Sequence, residues 1–299
     1  MFFLLFLSLE INKKAMHTDR KIRYILIVLA LIFNVLSLNA INYFSVKGAR
    51  TAAMGGVSVA LKDKSALFNN PAIMAFGDEI SVGLHYDNRF LLKETSTSSL
   101  GFVLPVEKVG AFGLQLSHFG HVNYGELHTG FSYAKSFGNI ISFGLGFHYL
   151  MNYFSEKTYG NCHGFTFDIG AYGQISQRLG MGFHAFNPAR LKMCTYNDTK
   201  EYIPTILRLG LSYDLSKKCI LAAEIEKDLD KKFVYRVGLE YSILEQLQIR
   251  TGCGFPYFEC SLGAGWKTNY LMVDFAFSYH FVLGYSPRIS LIYNIKQTK

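Results

Sequence analysis

The sequence predicts an all-β chain: a transmembrane antiparallel β-barrel of about 14 strands, with a short N-terminal hatch in the lumen. Three observations predict it. From Glu79 onward apolar residues recur with a period of two, the charged residues of those segments fall in the opposite phase, and the connections alternate between short and long. Composition agrees, since of 299 residues 50% are apolar and only 17% charged, against the quarter or so that is charged in ordinary soluble domains. A chain this apolar is not a disordered one.

The first element is a leader. From Met16 the chain reads as a basic region (Arg20, Lys21, Arg23), an apolar run from Tyr24 to Leu38, and a small-residue cleavage site at Leu38-Asn39-Ala40. This predicts a signal peptide over 1–40, with Met16 as an alternative start because a second apolar stretch precedes the basic residues. The apolar run is shorter than the ~20 residues of a membrane-spanning helix. The leader carries five basic and two acidic residues, so the formal charge of +8 falls to +5 without it. No basic cluster interleaves with aromatics, so nucleic-acid binding is not expected. Five cysteines without C-x-x-C or zinc-like spacing predict neither a dense disulfide framework nor a structural metal, and no cofactor is expected.

The second element, 41–78, breaks the alternation. Gly48-Ala49-Arg50-Thr51-Ala52-Ala53-Met54-Gly55-Gly56 and Ser65-Ala66-Leu67-Phe68-Asn69-Asn70-Pro71-Ala72 are dense in small residues, which allow tight packing, and Asn-Pro starts a turn. This is the expected hatch.

The third element is the barrel, 79–299. Ile141, Phe143, Leu145, Phe147, Tyr149, Met151 and Tyr153 share one face, while Ser142, Gly144, Gly146, His148 and Asn152 share the other, with Leu150 the one misfit. The same template yields strands near 79–89, 96–106, 109–118, 125–136, 139–153, 162–175, 178–186, 204–215, 218–228, 232–243, 246–255, 258–267, 270–280 and 287–296. A soluble barrel of fourteen strands would enclose a void, so the apolar face must point outward into lipid. Asp168, Arg208, Asp214, Glu224, Glu226, Arg236, Glu240, Arg250, Glu259 and Asp274 then all point into the lumen, where they escape the penalty of several kcal/mol for facing lipid. Short turns belong to the periplasmic end and longer loops to the outside, which places the chain in the outer membrane of a Gram-negative bacterium. Tyr133, Tyr213, Tyr241, Trp266 and Tyr293 fall at one level and Tyr86, Tyr149, Tyr153 and Tyr279 at the other, as two aromatic belts.

The hatch motifs, GAR-x-A-x-MGG-x-x-VA over residues 48–60 and SALF-x-NPA over 65–72, resemble those at the mature N-terminus of FadL-like barrels, nearest to the Bacteroidetes PorV/PorQ group. The resemblance implies that Arg50, Gly55, Gly56, Asn70 and Pro71 are structural residues of a hatch that closes a channel for hydrophobic substrates. It equally implies, through PorV/PorQ, a non-transporting accessory of type IX secretion that binds protein partners. Asn69 departs from the family by standing where an aromatic is common, and Ile73-Met74 replaces Gly-Leu after NPA. The chain also ends without the usual terminal aromatic.

Chemistry-bearing candidates are few. Gly56-Val57-Ser58-Val59-Ala60 imitates a nucleophile elbow without the α/β sheet that motif requires. Ser117 and His118 fall in opposite phases, so no enzyme is expected. His85, His128, His148 and His184 all fall in the lumen phase toward the outer ends, where imidazoles on neighbouring strands suit a ligand or metal; histidine is equally an ordinary polar filler. Cys162 and Cys194, in consecutive outer loops, are placed for a disulfide or for two free thiols, and Cys219, Cys253 and Cys260 fall in the lipid phase. The expected partners are outer-membrane lipid with a hydrophobic small molecule or, in the alternative, secretion-system proteins. The favoured function is passive uptake of hydrophobic or amphipathic small molecules.

Overall fold

A computed structural model describes residues 46–156, 160–196, 199–256 and 258–295. The leader expected over 1–40 lies outside the described residues. The barrel strands are β1 (Ile80–Asn88), β2 (Ser96–Val106), β3 (Gly110–His121), β4 (Tyr124–Phe137), β5 (Ile141–Phe154), β6 (Cys162–Gln174) and β7 (Leu179–Phe186). A hairpin of β8 (Lys192–Tyr196) and β9 (Thr199–Tyr202) intervenes. The wall resumes with β10 (Ile206–Ser216), β11 (Cys219–Asp228), β12 (Phe233–Ser242), β13 (Leu247–Phe255), β14 (Glu259–Lys267), β15 (Leu271–His280) and β16 (Gly284–Ile295). Consecutive wall strands pair antiparallel and β1 pairs with β16, so the sheet closes with no free edge. Closure is what lipid demands of strands, because every backbone N–H and C=O needs a partner there.

Each predicted strand is present, with ends shifted by at most a few residues. Burial alternates along β5 as the sequence pattern requires: Ile141, Phe143, Leu145 and Phe147 are exposed on the outside, while Ser142, Gly144, Gly146 and His148 are buried inside. The apolar exterior is therefore the surface that meets lipid, and the lumen face is polar. Rim aromatics place their polar ends as amphipathic rings do at a headgroup layer. Tyr133 donates to the Val109 carbonyl at 2.7 Å at the short-turn end, while the Tyr153 and Tyr149 hydroxyls meet His118 and His163 at 2.6 and 2.8 Å near the long-loop end. Among the described residues no helix is long and apolar enough to cross a membrane.

Two differences from the sequence expectation have one cause. Leu150, the misfit of β5, is fully buried in the lumen, and the 187–203 connection is not a plain loop but carries the β8–β9 hairpin. Met193 and Ile203 at the ends of this connection pack with Leu150, Cys162, Phe186 and Ile206 in one apolar cluster. An inward leucine breaks the polar phase because the long-loop end of the lumen holds a small hydrophobic core of its own.

Residues 46–79 run inside the wall. They form one short helix, α1 (Ala49–Ala53), and two 3-10 turns over Lys64–Phe68 and Pro71–Phe76. Val46, Ala49, Ala52, Ala53, Met54, Val57 and Val59 are all buried, as a segment sealed within a barrel must be.

Candidate functional site

The lumen is built in layers. Its broadest layer is the seat on which residues 46–79 rest. Three pairs of glycines face each other across neighbouring strands: Gly144 and Gly170, Gly182 and Gly210, Gly238 and Gly252. Each pair leaves a notch that the hatch backbone fills. A Cβ at Gly144 would stand 2.7 Å from the Pro71 carbonyl carbon, one at Gly182 2.9 Å from the Ala60 Cα, and one at Gly252 2.7 Å from the Gly55 Cα. Contacts this short against backbone have no flexible side chain to absorb them.

Polar contacts fix the hatch in these notches. Glu224 on β11 accepts the backbone N–H groups of Ser58 and Val59 at 2.7 and 2.9 Å through one carboxylate oxygen, and the Ser58 hydroxyl at 3.3 Å. Arg50 donates from Nε and Nη2 to the two oxygens of Glu240 at 2.8 and 2.9 Å, a bidentate pair. Ser261 Oγ accepts from the Gly55 N–H and donates to the Ala53 carbonyl, both at 2.9 Å, and Ser290 Oγ accepts from the Ala49 N–H at 2.7 Å. Asn70 is fully buried: its amide donates to the Val59 and Ala171 carbonyls at 2.8 and 3.2 Å, and its oxygen caps the Ala72 N–H. Pro71 follows in the first turn of the 3-10 segment, where its missing N–H costs nothing. Gly55 and Gly56 have φ of 71° and 86°, a left-handed turn open to glycine, and Gly55 also lies against the backbone of Cys253. Asn69 is buried and exchanges hydrogen bonds with the backbone of Lys47 at 2.9 and 3.1 Å.

Two ion-pair chains line the wall beneath these contacts. Arg208 Nε meets Glu226 at 2.6 Å, Glu226 meets Arg236 at 3.0 Å, and Arg236 lies 3.6 Å from the Glu224 that holds the hatch. In the second, Arg50 of the hatch and Arg250 of β13 share Glu240, and Arg250 continues to Asp274 at 2.5 Å. The first chain joins two arginines to two carboxylates; in the second, Asp63 of the hatch, 3.6 Å from Arg50, adds a third carboxylate to Glu240 and Asp274. Register produces them, because Arg208 and Glu226, Glu224 and Arg236, and Glu240 and Arg250 sit directly opposite on paired strands.

Beyond the hatch, toward the long loops, His128, His148 and His184 come together around Asp168. His128 Nε2 lies 3.0 Å and Gln115 Nε2 3.1 Å from His148 Nδ1, while His148 Nε2 and His184 Nε2 lie 3.2 and 3.0 Å from the same oxygen of Asp168. Gly130 and Gly146 make room: a Cβ there would stand 2.5 and 2.8 Å from the two nitrogens of His148. The fourth histidine is elsewhere. His85 bonds Ser290 at 2.7 Å and meets the ring of Phe68 edge-on, so it supports the hatch. Among the described residues no three His, Cys, Asp or Glu side chains are arranged to hold a metal ion.

Above the histidines, the His148 ring lies 5.5 Å from Phe186 of the apolar cap. Asn187 organises this cap. Fully buried, it accepts from Thr166 and the Leu191 N–H at 2.9 Å each, and donates to the Ile203 carbonyl at 2.6 Å. The signal was in the chain, since Asn187-Pro188-Ala189 repeats the Asn70-Pro71-Ala72 of the hatch. Cys162 in the cap is disulfide-bonded, and the side chain of Cys194 lies outside the described residues. Ser117 is buried in the lumen while His118 faces outward to Tyr153, so the two do not meet.

On the opposite, short-turn side of the hatch lies a cavity of about 380 Å3. Ile73, Met74, Val103 and Met272 form an apolar part of its lining, and Arg50, Glu240 and Arg250 an ionic part. Lys62 stands at this cavity with its ammonium 4.8 Å from the ring of Phe76 and 5.3 Å from that of Tyr172.

No protein family and no curated protein matches this sequence. Solved structures do resemble the fold. The toluene transporter TodX of P. putida superimposes with a TM-score of 0.64 at 12% identity, over 85% of this chain and 100% of its own. The CymD monoaromatic hydrocarbon channel gives 0.65 at 13%, over 85% and 99%. A Pseudomonas aeruginosa FadL homologue gives 0.62 at 14%, over 86% and 99%. At such identities the likeness is one of fold: this is a closed fourteen-stranded barrel of the FadL type.

Proposed function

We propose that the chain is an outer-membrane channel of a Gram-negative bacterium for passive uptake of hydrophobic or amphipathic small molecules, with displacement of the hatch as its gate. The cavity beside the hatch carries this reading. Its volume of about 380 Å3 lies in the range of small-molecule sites, and its lining joins an apolar patch to an ionic one, which suits a solute with an apolar body. The fold shared with the TodX transporter and the CymD channel supports it. Residues 1–40 serve as the cleaved leader, 41–78 as the hatch, and 79–299 as the barrel. Arg50, Gly55, Gly56, Asn70 and Pro71 act structurally, holding the closed state. In this reading no bond is made or broken, and Ser58 donates its hydroxyl to Glu224 as part of the hatch seat.

A gate is needed because the hatch meets the wall around its circumference, through glycine notches on both halves and through the carboxylates of β11 and β12. A solute crosses the apolar cap, passes the histidines, and reaches the cavity once the hatch shifts. Proteoliposomes loaded with purified barrel test this. Uptake of a labelled monoaromatic hydrocarbon or a medium-chain amphiphile above empty liposomes is expected, together with lipophilic molecules in the mass spectrum of co-eluting material. Absence of uptake for both solutes, with secretion components co-purifying from the solubilised outer membrane, would replace it by the alternative of a non-transporting accessory of type IX secretion.

A further inference from the structure

The lipid-facing surface of the wall carries a pair of thiols directly behind the hatch seat. Cys253 of β13 and Cys260 of β14 occupy opposite positions in the antiparallel register, their sulfurs are 3.5 Å apart, and both are free. They lie beside the 256–258 connection, at the long-loop end. Their neighbours on the inner face hold the hatch: Ser261 follows Cys260 and bonds Gly55 and Ala53, while the backbone of Cys253 itself lies against Gly55. The third free thiol, Cys219, is paired in register with Tyr241 and has no such neighbour.

We propose that Cys253 and Cys260 form a redox-responsive modification site, closed to a disulfide by exchange with an organic disulfide at the cell surface, and that closure staples the outer wall of the hatch seat. Directly opposed residues of an antiparallel pair hold their Cβ atoms about 4.5–5.5 Å apart, against about 3.8 Å in a relaxed disulfide. The pair is thus close enough to close with a small approach of the strands, and that approach makes the bond easy to reopen by reductant. Closing proceeds in two exchanges. One cysteine thiolate attacks the oxidant's S–S bond, forming a mixed disulfide and expelling one thiolate. The second cysteine thiolate then attacks the protein sulfur of that mixed disulfide and expels the other. The protein loses two protons and two electrons, and the oxidant takes them up and leaves as two thiols. This holds whatever solute the barrel carries.

Stapling two strands at the point where Gly55 and Ala53 are bonded resists the wall movement that releases them. The test uses the full barrel in detergent, reduced and then treated with oxidised glutathione, followed by alkylation and peptide mapping. Cys253 and Cys260 are expected to become resistant to alkylation and to appear as one cross-linked peptide, reversibly with reductant, while Cys219 carries at most a glutathione adduct and no cross-link within the wall. Cys253→Ser is expected to leave a glutathione adduct on Cys260, which reports a folded and reachable site without its partner. Cleavage of the hatch by trypsin is expected to slow at least about twofold on oxidation of the wild type and to be unchanged in Cys253→Ser. Both thiols remaining open to alkylation, cross-linking between two molecules in place of closure within one, or a hatch equally sensitive in both redox states would each overturn the proposal.

Discussion

The two halves of the barrel wall hold the same hatch by different means. From β10 to β16 buried charged residues recur among the lumen positions, and Glu224, Glu240 and the arginines that serve them grip the hatch through carboxylates. From β1 to β7 the corresponding layer is mostly Gly, Ser, Thr and His, and the hatch rests there by shape, with Leu67 and Met74 packed on Val103, Ala111 and Ala134. Under the proposed gating, this division of labour lets a plug be both placed and released. Charge fixes the hatch on one side to a few points, while the other side offers close contact with little directional bonding.

That contrast predicts where the structure breaks most easily. Glu240→Ala strips the shared carboxylate from two buried arginines, Arg50 and Arg250, and is expected to cost about 3–5 kcal/mol, read as a fall in the temperature at which the barrel loses its heat-resistant band on gels. Gly252→Val and Gly144→Val fill notches on opposite halves and are each expected to cost about 1–3 kcal/mol, whereas Gly173→Val on the outer face, with only the tip of Ile175 near, should be almost neutral. Equal tolerance of all three valines would remove the notches from the account.

Smaller effects sharpen the comparison. Asn70→Ala loses a cap and two hydrogen bonds and is expected to cost about 1–2 kcal/mol by chemical unfolding, with faster proteolysis of the hatch as a second readout. His128→Ala is expected to cost about 1 kcal/mol or less, because His148 Nδ1 keeps its bond to Gln115. A large loss in thermal stability there would show that the histidine layer bears on the fold as strongly as the ion pairs do.

Much of this fold was legible because period-two patterning survives in any closed barrel: Phe143 and Gly144 declare opposite faces whatever their partners are. Register was not legible. That Gly144 meets Gly170, or that Glu240 meets Arg250, depends on strand stagger, which no single strand encodes, so the notches and ion-pair chains stayed hidden behind a correct list of inward residues. The same gap explains His85, which shares phase with the other histidines yet sits three strands from His128 around the wall, beside Ser290 of the neighbouring strand. The hairpin inside the cap escaped because β8 and β9 are too short for a periodic signal, although Leu150 in the wrong phase and the second Asn-Pro-Ala both pointed to a packed core there.

In the proposed function, solute passes only when the hatch shifts against its wall. Ala53 of α1 and Ala276 of β15 belong to one buried cluster, so cysteines introduced at both positions, with Cys253 and Cys260 replaced by serine, can tether the hatch to the wall. Solute uptake by proteoliposomes carrying this variant is the direct measurement. The account predicts uptake under reducing conditions, its loss when the tether is oxidised, and its return with reductant. Unchanged uptake through a fully tethered barrel would contradict it.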